Sequence, residues 1–166
     1  MDQTHIHLFL NHAPVAGVAF GLFFLAIGLI KKSQGMRLSA ITLFTISSLL
    51  VLPVFFTGES AEETAEGLPG VSESIIETHE DAAKAALAGM IVLGVASIVT
   101  LSIFAKKHLI PKSMLSAVGV LAVLAMVLIG RTAYLGGQIR HSEVRSGAVP
   151  AGQEATGEQQ GAEDDD

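Results

Sequence analysis

The chain has 166 residues, half of them apolar and only 16% charged, with no Cys, no Trp and a formal net charge of −6. A mean hydropathy of +0.55 is high for a soluble domain and fits a small integral membrane protein whose apolar runs can cross a hydrocarbon core. Without Cys there can be no disulfides, no thiolate-held iron–sulfur cluster and no covalently attached c-type haem, so any metal must be held by His, Asp, Glu or Met.

The start, Met1-Asp2-Gln3-Thr4-His5, lacks the positive region of a secretory signal, and the apolar run after it is read as a retained span. Four spans are expected, at about 8–30, 38–57, 82–104 and 113–135. Each must satisfy its own backbone in lipid, and each is twice as long as a barrel strand, so the expected fold is an all-α, integral membrane four-helix bundle. Gly17-Val-Ala-Phe-Gly21 in the first span and Ala85 and Gly89 in the third let helix backbones approach closely. Thr42, Thr45 and Ser48 on the second span are expected to donate hydrogen bonds between helices.

The two short connections carry Lys31, Lys32 and Arg37, then Lys106, Lys107 and Lys112, with no acid in either. All sixteen Asp and Glu residues fall on the other side, with only four of the ten Lys and Arg. The positive-inside rule therefore predicts a multi-pass protein of the cell inner membrane with both termini outside the cytoplasm. The one long connection, from Gly58 to Asp81, lies on that outer side. Its latter part repeats apolar residues at helical spacing and puts His79 on an inward face, with Thr78 either capping the third span or lying inside a longer helix. Residues 1–146 thus form the transmembrane domain. Residues 147–166, rich in Gly, Ala, Gln and Glu and ending in three Asp, read as a disordered acidic tail.

Five of the six histidines fall at the outer end: His5, His7, His12, His79 and His141. A single His at an interface is most simply a polar anchor, but four of these five flank or begin apolar helices. His5 and His12, seven apart, share one face and His7 points elsewhere. Tyr134 and His141 share a face if the fourth helix continues through Gly136-Gly137. His108, among Lys106, Lys107 and Lys112, reads as solvated. Imidazole is the usual ligand for haem iron in a Cys-free bundle, and it also suits zinc, copper and non-haem iron.

Charged neighbours narrow the choice. Glu59 closes the second span near the same rim, and Glu77, Glu80 and Asp81 flank His79. They could orient imidazoles or bind a hard metal. Arg131, inside the fourth span, is expected to be buried against an anion such as Glu59, a lipid phosphate or a haem propionate. No Asp, Glu, Lys or His lies near mid-span, which argues against a proton relay or an alternating-access carrier. Nor does any helix carry two His about thirteen residues apart, so two haems cannot be stacked across the membrane and any redox work stays on the outer side.

His7-Leu-Phe-Leu-Asn-His12-Ala-Pro14 resembles the H-x-x-x-x-H-x-P opening of a bacterial family of four-span membrane proteins classed as a domain of unknown function. Thr57-Gly58-Glu59 is similar to that family's Thr-Gly-acid after span two, His79 to its His at the start of span three, and Gly136-Gly137 before His141 to its Gly-Gly-then-His ending. The likeness covers roughly residues 5 to 142. Relatives joined to Rieske-type and c-type cytochrome modules imply redox work.

Three readings follow, in order of preference. The first is a membrane redox protein holding b-type haem at the outer rim through two of His7, His12, His79 and His141, with His12 and His79 the preferred pair and Arg131 near a propionate. The second is a module binding Zn, Cu or non-haem Fe through the same histidines and Glu59. The third is a structural subunit with no cofactor. Expected partners are the lipid bilayer, a periplasmic or membrane redox protein and, as an open alternative, a second copy of the chain. Nothing in the sequence suits nucleic acid.

Overall fold

A computed structural model describes residues 3–58, 61–63, 71 and 73–140. Glu59, His141 and the acidic tail lie outside the described residues. Five helices account for almost all of what is described: α1 (Gln3–Leu10), α2 (His12–Ile30), α3 (Gln34–Phe56), α4 (Glu73–Lys107) and α5 (Lys112–Arg140). Four segments are long and apolar enough to cross a membrane, His5–Ile30, Gln34–Phe56, Glu73–Lys107 and Lys112–Ile139. The protein is an all-α, multi-pass membrane bundle.

The helices run up and down in ring order, each packed chiefly on its two neighbours, with α2 against α3 and α4 against α5 the most extensive pairs. Two ends result. At one, the basic end, Lys31 and Lys32 follow α2 and Lys106 and Lys107 close α4. At the other, the histidine end, lie α1, the C-terminus of α3 and the first turns of α4.

Inward positions follow one spacing. On α2 the buried residues are Pro14, Val18, Gly21, Leu25 and Gly28. On α5 they are Leu115, Val118, Ala122, Ala125, Ile129 and Ile139. Steps that alternate three and four residues make a narrow seam of the kind that left-handed helix bundles share. Large apolar side chains elsewhere on the helices, including Phe20, Phe23, Ile30, Val95, Val120 and Val127, stand at least 57% exposed, as lipid-facing residues should.

Glycine sets how closely the helices meet. A Cβ at Gly17 would collide with Ser47 Oγ, and one at Gly21 would meet the Phe44 ring. At Gly94 it would lie 2.7 Å from Ser48 Cβ. The expected close approach through Gly17 and Gly21 is therefore the α2–α3 contact, and Phe44, fully buried, fills the space that Gly21 leaves.

The hydroxyls differ from expectation. Thr45 Oγ1 donates to Ile41 O at 3.0 Å, within its own helix. Thr100, Ser102 and Thr132 do the same to the carbonyl four residues back. Thr42 is exposed, and Ser48 Oγ is buried without a partner among the described residues. In lipid the nearest acceptor is the preceding turn, so these groups do not bridge helices.

The basic end is closed by a few polar contacts. Ser33 Oγ caps α3 by accepting from Met36 N at 3.4 Å, and Arg37 Nε donates to Gly28 O at 3.0 Å. Lys32 and His108 take left-handed backbone conformations (φ 53° and 55°) that end α2 and α4 abruptly. Gln34 Nε2 donates to His108 O at 3.1 Å and joins the two turns.

Glycine packing yields a prediction. Gly21→Val must displace the Phe44 ring and should cost about 1–3 kcal/mol, the usual range for overpacking. Gly130, with nothing within 4 Å of its Cβ position, should accept Ala without loss. Unfolding titrations of the purified protein in mixed micelles compare the two directly.

Candidate histidine site at one end of the bundle

The seam that organises α2 continues backward. Stepping by seven from Gly28 through Gly21 and Pro14 reaches His7, so the α1 helix carries His7 onto the inward line. His5 and His12 share the opposite, exposed face, as their spacing predicts. Asn11 marks the join between α1 and α2, and its N–H bonds His7 O at 2.9 Å, so the helical path is nearly continuous.

The His7 ring is half-buried against the C-terminus of α3. Its Nδ1 lies 2.9 Å from Val54 O and 3.4 Å from Thr57 Oγ1. The last carbonyls of a helix lack partners within it, and here the imidazole supplies one. Thr57 Oγ1 itself donates to Pro53 O at 2.7 Å. Gly58 then passes over the ring, its Cβ position 3.6 Å from His7 Cε1.

His79 sits on the corresponding line of α4, one heptad before the buried Ala86 and two before Leu93. The helix runs unbroken from Glu73, so the third span extends well before residue 82, and Thr78 lies inside it, bonded to Ser74 O at 2.7 Å rather than capping. Lys107, at the basic end, is about 42 Å from His79 along the helix axis. A hydrocarbon core is about 30 Å thick, which leaves His79 at the headgroup level of the opposite face.

The His79 ring packs onto α5. Its Nδ1 is 3.1 Å from Thr132 O, and a Cβ on Gly136 would come within 3.0 Å of its Cε1. Gly136 is what admits the ring. The fourth helix does continue through Gly136-Gly137, as far as Arg140.

The two rings are treated alike. A carbonyl can only accept, so Nδ1 carries a proton in both rings and donates to the main chain. Neither Nε2 has a hydrogen-bond partner among the described residues. Backbone-anchored Nδ1 with a bare Nε2 is the state in which imidazole binds a metal.

The remaining candidates are placed otherwise. His12, of the expected His12–His79 pair, is exposed and its Nδ1 engages Asn11 Oδ1, so it lacks the half-buried, backbone-anchored setting that His7 and His79 share. The shared face of His5 and His12 is the exposed one, and His7, which points elsewhere as expected, lies on the inward side. Arg131 is exposed, not buried, and makes no ion pair among the described residues. It stands one heptad from the exposed Leu124 and shares its outward face with Tyr134, a pairing typical of a membrane interface. His108 is exposed at the basic end, as expected. Glu80 and Asp81 pair with Lys84, at 2.8 and 3.8 Å, instead of orienting His79. Among the described residues no three of His, Asp and Glu converge to hold a metal ion.

No protein-family model, curated protein or solved structure matches the chain.

Burial orders the histidines by access. Diethyl pyrocarbonate should modify His5, His12 and His108 first and His7 and His79 last, followed by mass spectrometry of peptides. Gly136→Leu should expel the His79 ring and raise its reactivity to that of His12, leaving His7 unchanged.

Proposed function

We propose that this is a membrane redox protein that holds a b-type haem at the histidine end of the bundle, with His7 and His79 as the protein ligands. The observation that carries the reading is the matched pair of imidazoles, each anchored through Nδ1 to a main-chain carbonyl and each with an Nε2 that has no hydrogen-bond partner among the described residues. Two such ligands suit haem, whose porphyrin supplies the other four nitrogens, better than zinc, which takes three or four ligands from the protein. When bound, haem supplies one-electron chemistry. The chain's own part is to fix the tautomer, orientation and spacing of the two rings.

Sidedness follows from the charges. Basic turns at the opposite end put the histidine end outside the cytoplasm of a bacterial inner membrane, where a periplasmic or membrane redox partner exchanges electrons with it. The likeness of the His7–Pro14, Thr57–Glu59 and Gly136-Gly137 motifs to a four-span family associated with cytochrome modules points the same way. Arg131 has no part in this site.

A second reading is a non-haem Zn, Cu or Fe ion. Glu59, which lies outside the described residues, follows Gly58 in the sequence and is the candidate carboxylate for that ion. With His141 it could complete a set that the two imidazoles only begin.

Freshly purified protein, or protein reconstituted with haem, should show a Soret band that shifts on reduction with dithionite. His7→Ala or His79→Ala should remove most of it, with partial recovery on adding free imidazole, while His12→Ala and Arg131→Gln keep it. Stoichiometric metal without porphyrin absorbance would favour the second reading. Colourless, metal-free protein that takes up neither would leave a cofactor-free structural subunit.

A further inference from the structure

The basic end carries a feature that the histidine site does not use. Between α2 and α5, the less extensively packed pair that closes the ring, an apolar groove of about 440 Å³ opens toward the membrane. Leu25, Leu29, Leu115, Gly119, Val120 and Leu124 line it. Gly119 forms its floor, where Leu25 packs so closely that a Cβ would come within 3.3 Å of Leu25 Cδ2.

The groove stops where the charges begin. Leu29 is two residues from Lys31, and Leu115 three from Lys112. From Lys112 to Leu124 is about 18 Å along α5, close to the depth of one bilayer leaflet. The mouth is strongly basic. Lys31, Lys32 and Lys112 are all exposed, and the Gln34–His108 hydrogen bond draws Lys106 and Lys107 into the same cluster. None of these lysines has an ion pair among the described residues, where the pairs are those of Lys84. Neither turn contains an acid.

We propose that this groove and its basic rim form a binding site for one anionic phospholipid, the phosphate held by Lys31, Lys32 and Lys112 and an acyl chain lying against Leu25, Gly119 and Leu124. A second copy of the chain fits less well, since two copies meeting here would bring their uncompensated lysines together. The lipid replaces side-chain volume that α2 and α5 lack between them.

The test uses the full-length protein exchanged into bilayers of phosphatidylcholine containing phosphatidylglycerol, then extracted gently for native mass spectrometry. Wild type should retain one phosphatidylglycerol in preference to phosphatidylcholine. Lys31→Gln, Lys32→Gln and Lys112→Gln should each weaken that preference, by about fivefold for a lysine close to the phosphate. Ser116→Phe, at an exposed position on the groove wall, should expel the lipid while leaving the lysines in place. Equal retention of the two lipids, or full retention in the triple Gln variant, overturns the proposal. So does retention unchanged by Ser116→Phe, which would mean charge alone gathers the lipid. Disulfide-linked dimers formed efficiently by Ser116→Cys in the bilayer would overturn it too, by showing that a second chain covers the groove.

Discussion

Lipid offers helices no hydrophobic gain for pairing, so a bundle in a membrane must hold together through close contact of shapes. Here that contact depends on what glycine leaves empty. Gly17 and Gly21 make room on α2 for Ser47 and Phe44 of α3, Gly94 on α4 for Ser48, and Gly136 on α5 for His79. The first three bring backbones together in the interior. The last uses the same device to seat an imidazole at the histidine end. Polar contacts between helices are few, and most hydroxyls bond the turn before them.

Much of this was legible from residue order alone. Four apolar runs bounded by charges dictate four helices, and Gly17-x-x-x-Gly21 marks the tightest pairing. Length is harder to read. Polar residues such as Glu77, His79 and Glu80 lower the hydropathy of the first turns of α4, yet nothing there breaks a helix, so α4 begins at Glu73. Phase was the main difficulty at the site. His5 and His12 share a face and outnumber His7, but the inward line is set by Pro14, Gly21 and Gly28, and tracing it back past Asn11 singles out His7. Arg131 misleads for a related reason. Its depth in the sequence suggests burial, whereas its position relative to the Ala122–Ala125–Ile129 seam turns it outward. Glu59 and His141 fall outside the described residues, so their part in the rim rests on motif and order.

The two ends of the bundle divide the chemistry. One gathers imidazoles, two of them anchored to main-chain carbonyls, and is the end to which the proposed cofactor is assigned. The other gathers mobile positive charges over an apolar groove and suits a lipid. Between them the interior holds only apolar side chains and small hydroxyls, with Ser48 and Ser97 the buried oxygens without partners among the described residues. Such an interior insulates one end from the other.

His7 rests on Val54 and His79 on Thr132, contacts made inside two separate hairpins, α1–α2–α3 and α4–α5. Each hairpin can insert and orient its own ring before meeting the other. A site shared by both rings, as proposed, would come into being only when they dock. Any guest gripped by both rings would then act as a clasp, drawing the halves together and making correct assembly a condition of loading.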